Sequence, residues 1–237
     1  MRKRVLSFRV LPLCLALWVA GCDDDPPPTG NEPPPGTTTT APATTAKAYL
    51  RGAQLTEDAR SVDFVVNGAD LATGIDYRGV GPYAQLDSGE YRVQFFPEGD
   101  RGAALIETRV TLASNQAVTI AVVGPSLSTL TIIEERSTRS DRARLKMVNT
   151  VFDFPAPFDL AIQNGPGLLG GIGYLQTSGT AELIPGVYGF ELRRGGTAEE
   201  VASISGQAMS AGANYTVYAI GTLTRENIEL LVTRDSF

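Results

Sequence analysis

The stretch Tyr91-Arg92-Val93-Gln94-Phe95 decides the fold, because it occurs twice. Tyr91, Val93 and Phe95 alternate with Arg92 and Gln94, the period of a strand with one dry face and one wet face. Ninety-seven residues later the chain reads Tyr188-Gly189-Phe190-Glu191-Leu192. The neighbours return as well. Tyr83-Ala84-Gln85-Leu86 followed by Gly89 matches Thr180-Ala181-Glu182-Leu183 followed by Gly186. Val118-Thr119-Ile120-Ala121-Val122-Val123-Gly124 matches Tyr215-Thr216-Val217-Tyr218-Ala219-Ile220-Gly221. Near the start of each copy the offset is 95 to 96, with Val62-Asp63-Phe64 matching Phe158-Asp159-Leu160. Such small drifts are differences in loop length. A repeat this long is a whole domain rather than one unit of a solenoid.

Outward from that strand, the chain after Lys47 is a series of short alternating runs broken by Gly, Pro, Asn, Asp and Ser. No segment sustains the apolar period of a helix. The pattern predicts an all-β fold, two tandem immunoglobulin-like or transthyretin-like β-sandwich domains after a disordered linker. Seven or eight strands are expected in each domain. In the first they fall near 47–54, 61–67, 70–77, 82–87, 90–96, 103–113, 116–124 and 127–135. Asn67-Gly68 suits a tight turn with positive φ at both centres, and Asp87-Ser88-Gly89 suits another. The expected organisation is 1–21 signal peptide, 22–46 lipidated cysteine plus linker, 47–135 first sandwich, 136–141 short connection and 142–237 second sandwich.

The N-terminus carries a different message. Arg2, Lys3, Arg4 and Arg9 precede an apolar run, Val10 to Ala20, which is too short to span a bilayer. Val19-Ala20-Gly21-Cys22 ends it and resembles the bacterial lipobox, in which cleavage leaves an N-terminal cysteine for acylation. That resemblance implies a diacylglycerol thioether on Cys22 and an acylated amino group; two or more chains anchor stably where one does not. Asp23, next in the chain, resembles the signal that keeps enteric lipoproteins on the inner membrane. The expected location is therefore the bacterial cell envelope, with the membrane as one partner through the lipid. Asp23 to Ala46 follows, with Pro26-Pro27-Pro28, Pro33-Pro34-Pro35 and the run Thr37 to Thr40. It has no aromatic and no large aliphatic residue, so it reads as a spacer.

After residue 21 the chain holds 16 basic and 26 acidic residues, a formal charge of −10. That balance argues against sequence-independent nucleic-acid binding. Cys14 lies within the signal and Cys22 at its end, so no disulfide within the chain is expected.

The run Gly81-Pro82-Tyr83-Ala84-Gln85-Leu86 with Gly89-Glu90-Tyr91-Arg92-Val93, and the segments Ala117 to Gly124 and Asn214 to Gly221, resemble a bacterial family known as domain of unknown function 4397. The resemblance extends over residues 47–233 and implies extracytoplasmic β-sandwich modules, often in tandem and often on lipoproteins. The chain departs from that family at the loop before the Val-Asp strand. The family has a His-Ala-Ser-Pro-Asp-Ala-Pro-like segment there, and neither Gly52 to Ala59 nor Asn149 to Pro157 contains histidine. The family assigns no activity.

The chemistry is narrowed by elimination. The chain contains no histidine, which removes Ser-His-Asp and Cys-His arrangements and the common zinc sites. Lys47 and Lys146, the lysines after the signal, fit no S-x-x-K pattern. Gly165-Pro166-Gly167-Leu168-Leu169-Gly170-Gly171 is glycine-rich but precedes no predicted helix, so it reads as a hairpin or irregular edge. No cofactor is expected. Asp63 and Asp159 occupy matching positions, which suggests that each binds neighbouring backbone amides. Glu57-Asp58 and Asp153 have no calcium-loop pattern. Two surfaces suggest partner contact. One is the basic cluster Arg136, Arg139, Arg142, Arg144 and Lys146, whose plainer reading is a solvated hinge leading into an alternating strand. The other is Val151 to Phe158, where Phe152 and Phe154 would serve either interdomain packing or a partner. The leading expectation is a non-enzymatic envelope protein that binds a protein or polysaccharide or serves structurally. The alternative is a carboxylate-based hydrolase of envelope glycans, which requires a converging Asp/Glu pair in a groove.

Overall fold

A computed structural model describes residues 46–134 and 139–237. Val19 to Asp23, the Pro/Thr-rich segment and Arg136 lie outside the described residues. The first sandwich contains β1 (Lys47–Gln54), β2 (Val62–Val66), β3 (Ala69–Ile75), β4 (Gly79–Val80), β5 (Ala84–Asp87), β6 (Gly89–Pro97), β7 (Ile106–Leu112), β8 (Ala117–Val123) and β9 (Ser128–Glu134). One sheet is antiparallel in the order β3-β2-β6-β7. In the other, β1 pairs parallel with β8, β8 pairs with β9, and β4 and β5 flank the two ends of β1.

The second sandwich contains β10 (Ala143–Asn149), β11 (Phe158–Ile162), β12 (Gly167–Ile172), β13 (Ala181–Leu183), β14 (Gly186–Arg194), β15 (Glu200–Met209), β16 (Asn214–Ile220) and β17 (Glu229–Asp235). Its sheets run β12-β11-β14-β15 and β13-β10-β16-β17. All regular structure among the described residues is strand, so the expected all-β sandwich class is borne out. The expected strand positions hold within a few residues, and the two-residue β4 is an addition.

The repeated alternating strands, β6 and β14, each supply the middle of a core. Val93 and Phe95 are sealed with Leu50, Phe64 and Ile120, and the Phe95 and Phe64 rings lie 5.1 Å apart. Phe190 and Leu192 are sealed with Leu145, Phe158 and Val217. Asn67 (φ 48°) and Gly68 (φ 85°) make the β2–β3 turn with positive φ at both centres, as expected. The glycine-rich segment contributes β12, an edge strand whose register with β11 shifts twice.

A third core joins the sandwiches into one compact unit. Ala53, Ala121, Val123 and Ile132 pack with Val148, Tyr218 and Ile220. The cause is legible in β8 and β16, which are apolar or threonine at nearly every position. A strand without alternation is buried on both faces. The same burial takes Lys146 out of the solvated hinge that the basic cluster suggested: it is 6% exposed, whereas Arg142 and Arg144 are half-buried.

Candidate functional site

The chemistry-bearing residues converge where the two sandwiches meet. Arg51 on β1 and Thr119 on β8 are register partners in the first sandwich, and Lys146 on β10 and Thr216 on β16 are register partners in the second. Glu134 ends β9 opposite Ala117, and Asp235 ends β17 opposite Asn214. The Arg51 guanidinium donates Nη2–H to Asp235 Oδ1 at 2.6 Å and Nε–H to Thr119 Oγ1 at 2.8 Å. Lys146 Nζ pairs with Glu134 and donates to the Ile133 carbonyl at 2.8 Å. Thr119 donates to Glu134 Oε1 at 2.8 Å, and Thr216 to Asp235 Oδ2 at 2.9 Å. The Tyr83 ring caps this network, with the Arg51 guanidinium carbon 4.3 Å from its centroid.

The four charged side chains are sealed, at 4%, 1%, 8% and 2% exposure for Arg51, Glu134, Lys146 and Asp235. Two cations thus face two anions away from water. Burial, reinforced by the charge of Glu134, pushes the Asp235 carboxyl up to about 6, against the pull of Arg51 and Thr216. Glu134 and Asp235 converge on the Thr216 hydroxyl and are the two carboxylates that the joint brings together. Yet the cavity that both line, with Arg144, Thr180, Asn214 and Tyr215, measures about 10 Å³, and the open groove of about 340 Å³ that Asp235 borders beside Arg234 and Phe237 does not include Glu134. That is room for one water and not for a sugar ring.

Asp63 and Asp159 do what their duplication suggested. Asp63 accepts from the amides of Gly74 (2.8 Å) and Gly99 (3.0 Å), and Asp159 from those of Gly171 (2.7 Å) and Gly196 (2.8 Å). All four glycines have φ between 60° and 74°. Burial works against the Asp63 charge, but the two amides and Arg101 prevail and hold its carboxyl below the usual range. Asp153 likewise accepts from the amides of Leu223 and Thr224, each at 2.8 Å, and ties down the loop before β17.

Ion pairs close the rim of the joint. Arg225 bonds Glu57 and Asp58, each at 2.8 Å, and Arg78 pairs with Glu229. Among the described residues no cluster of three or more Cys, Asp or Glu is arranged to hold a metal.

The residues singled out as possible partner contacts are separated. Arg139 pairs with Asp141 and Glu182, and Arg142 with Asp141, all partly exposed. Phe154 packs on Phe158 at 4.5 Å over the core of its own sandwich. Phe152 is 39% exposed in a shallow notch beside Asp58, Pro125, Thr222 and Arg225, at the edge of the joint. Sequence reasoning missed Arg51, Glu134, Thr216 and Asp235. Each is a polar residue on, or at the end of, a strand of the sheet pair that meets in the joint.

An open groove of about 440 Å³ lies over one end of the joint, lined by Arg51, Val80, Gly81, Pro82, Tyr83, Thr233, Arg234 and Ser236. The Phe237 ring packs beside it on Tyr83 (5.2 Å) and Tyr49 (5.8 Å).

Comparison with known proteins finds the family described as "Domain of unknown function (DUF4397)" over residues 48–157, which bears out the family resemblance over those residues. The match covers the first sandwich and continues through β10 into the loop that ends at Pro157. No curated protein sequence matches the chain. Among solved structures, the chain is similar to CBMbc, a family 26 carbohydrate-binding module of Amy13K from Eubacterium rectale solved with maltoheptaose. The identity is 10%, with 81% of this chain and 98% of that one covered, at a TM-score of 0.28. The Bacillus anthracis TIE protein is similar at 11% identity, 75% and 34% coverage and a TM-score of 0.25. A candidate cell adhesion protein from Bacteroides fragilis is similar at 13% identity, 77% and 86% coverage and a TM-score of 0.21.

Proposed function

We propose that this chain is a non-enzymatic, lipid-anchored protein of the bacterial cell envelope. Its double sandwich is held off the membrane by the Pro/Thr spacer and binds an envelope protein or polysaccharide. One observation carries the non-enzymatic part. The two carboxylates, Glu134 and Asp235, are engaged by Lys146 and Arg51 inside the joint, where the space that both line holds a water. A glycosidase needs its pair at a groove that admits the sugar. The open groove is lined by an aromatic and a cationic side chain, Tyr83 and Arg234, chemistry suited to holding a ligand.

The decisive assay mixes the purified chain with envelope polysaccharide and follows both retention and new reducing ends. Retention without new ends is expected. New ends that vanish in Glu134→Gln would establish the hydrolase instead. The anchor is tested separately by fractionation, where Cys22→Ala is expected to move the chain from the membrane to the soluble fraction. Unchanged membrane association of that variant would refute lipidation.

A further inference from the structure

The joint between the sandwiches is built from equivalent positions of the two repeats. The strand registers set the equivalence without appeal to sequence similarity. Arg51 and Lys146 both sit on the strand parallel to β8 or β16, and both pair with a threonine, Thr119 and Thr216. Glu134 and Asp235 both end the next strand, opposite Ala117 and Asn214. Across the joint Arg51 binds Asp235, and Lys146 binds Glu134. Each cation therefore reaches the carboxylate of the other repeat, Arg51 lying also 3.5 Å from Glu134 of its own, and each threonine binds the carboxylate of its own, Thr216 reaching Glu134 as well. Most of the apolar half follows the same equivalence: Ala53 and Val148, Ala121 and Tyr218, Val123 and Ile220, and Leu130 and Leu231 all belong to the shared core, whereas Ile132 has Thr233 as its counterpart.

Reciprocal contact between equivalent residues is the signature of a twofold, self-complementary interface. We infer that this face is a homotypic docking surface, on which either sandwich can pair with its own kind from a second copy of the chain. In the natural chain two features direct pairing to the unlike sandwich. The covalent connection from β9 to β10 keeps the two faces at high local concentration. The rim pairs Arg225 with Glu57 and Asp58, and Arg78 with Glu229, are not reciprocated by equivalent residues. The small Ala121 also stands where the second repeat has the bulky Tyr218, a further difference between the two faces.

The test uses the full-length chain and its mass in solution. Lys146→Glu with Asp235→Lys reverses both charges of one face. Within one chain, Arg51 then meets a lysine and Glu134 a glutamate. Between two chains, like-with-like pairing stays complementary. Arg51 of one copy meets Glu134 of the other, and the acid introduced at position 146 meets the base introduced at position 235. A doubling of mass is expected, with crosslinks joining first sandwich to first sandwich. Adding Arg51→Glu and Glu134→Lys restores complementarity within the chain, and the quadruple variant is expected to return to the wild-type mass. The mirror double variant, Arg51→Glu with Glu134→Lys, is expected to dimerise too. A folded double variant that keeps the wild-type mass overturns the inference. So does failure of both doubles to fold while the quadruple folds, because a homotypic face would have rescued them in pairs. A quadruple variant that does not recover the wild-type mass overturns it as well.

Discussion

Asp63 shows how a duplicated carboxylate can serve the backbone around it. Its two oxygens hold the amides of Gly74 and Gly99, which stand at positive φ where the chain reverses. Asp63 is itself buried, and removing a buried partner of this kind costs about 1–3 kcal/mol. Asp63→Ala is therefore expected to lower stability by about that amount in urea unfolding, and Asp159→Ala, whose two amide bonds are exposed, by less, about 0.5–1.5 kcal/mol. No loss at Asp63 would contradict the structural role. Asp235 behaves in the opposite sense. Its folded-state carboxyl is pushed up to about 6 from 3.8, so the folded protein binds the extra proton. The resulting stabilisation is fully present below the unfolded value and is lost as pH rises through about 6. Asp63 and Asp153, held below the usual range, contribute stability above about pH 4 that disappears on further acidification. The melting temperature should thus rise from pH 7.5 to pH 5 and then fall, changes of about one proton's linkage each. Asp235→Asn should flatten the first change and keep the second; an unaltered profile would contradict the account.

At the scale of the element, the alternating strands were the legible ones. Tyr91, Val93 and Phe95 announce β6, and their recurrence at Tyr188 announces the second sandwich. The joint was not legible in the same way. Alternation reports one buried face, and β1, β8, β10 and β16 have two. Arg51 and Lys146 therefore read as wet-face residues, when in fact their wet face is covered by the other sandwich. Glu134 and Asp235 lie 101 residues apart at strand ends, and nothing local to either indicates that both meet Thr216. Gly52 shows how tight the first sandwich is under this joint. A Cβ there would lie 2.6 Å from Phe64 Cγ, a contact the core can relieve only by shifting the ring. Gly52→Ala is expected to cost about 1–3 kcal/mol by denaturant titration. A cost near zero would mean that β1 can move away from β2.

For the whole molecule, the joint turns two repeats into a single body. Its apolar half supplies non-directional burial, and its charged half supplies register, since each cation accepts one partner geometry. Breaking a buried pair by removing one member costs about 3–5 kcal/mol, because the other is left charged and unpaired. Lys146→Met is expected to show a loss of that order by isothermal denaturation, whereas Lys47→Met, whose exposed pair with Asp87 lies away from the joint, should change stability little. The functional reading rests on the same joint. Carboxylates that hold the sandwiches together are not free for hydrolysis, and a rigid double sandwich presents its groove in one geometry. Differential scanning calorimetry of the wild-type chain beside Arg51→Glu tests this most directly. The account predicts one cooperative transition for the wild type, with calorimetric and van't Hoff enthalpies in agreement, and two separated transitions for Arg51→Glu. Two independent transitions in the wild type, or a single unshifted one in Arg51→Glu, would contradict it.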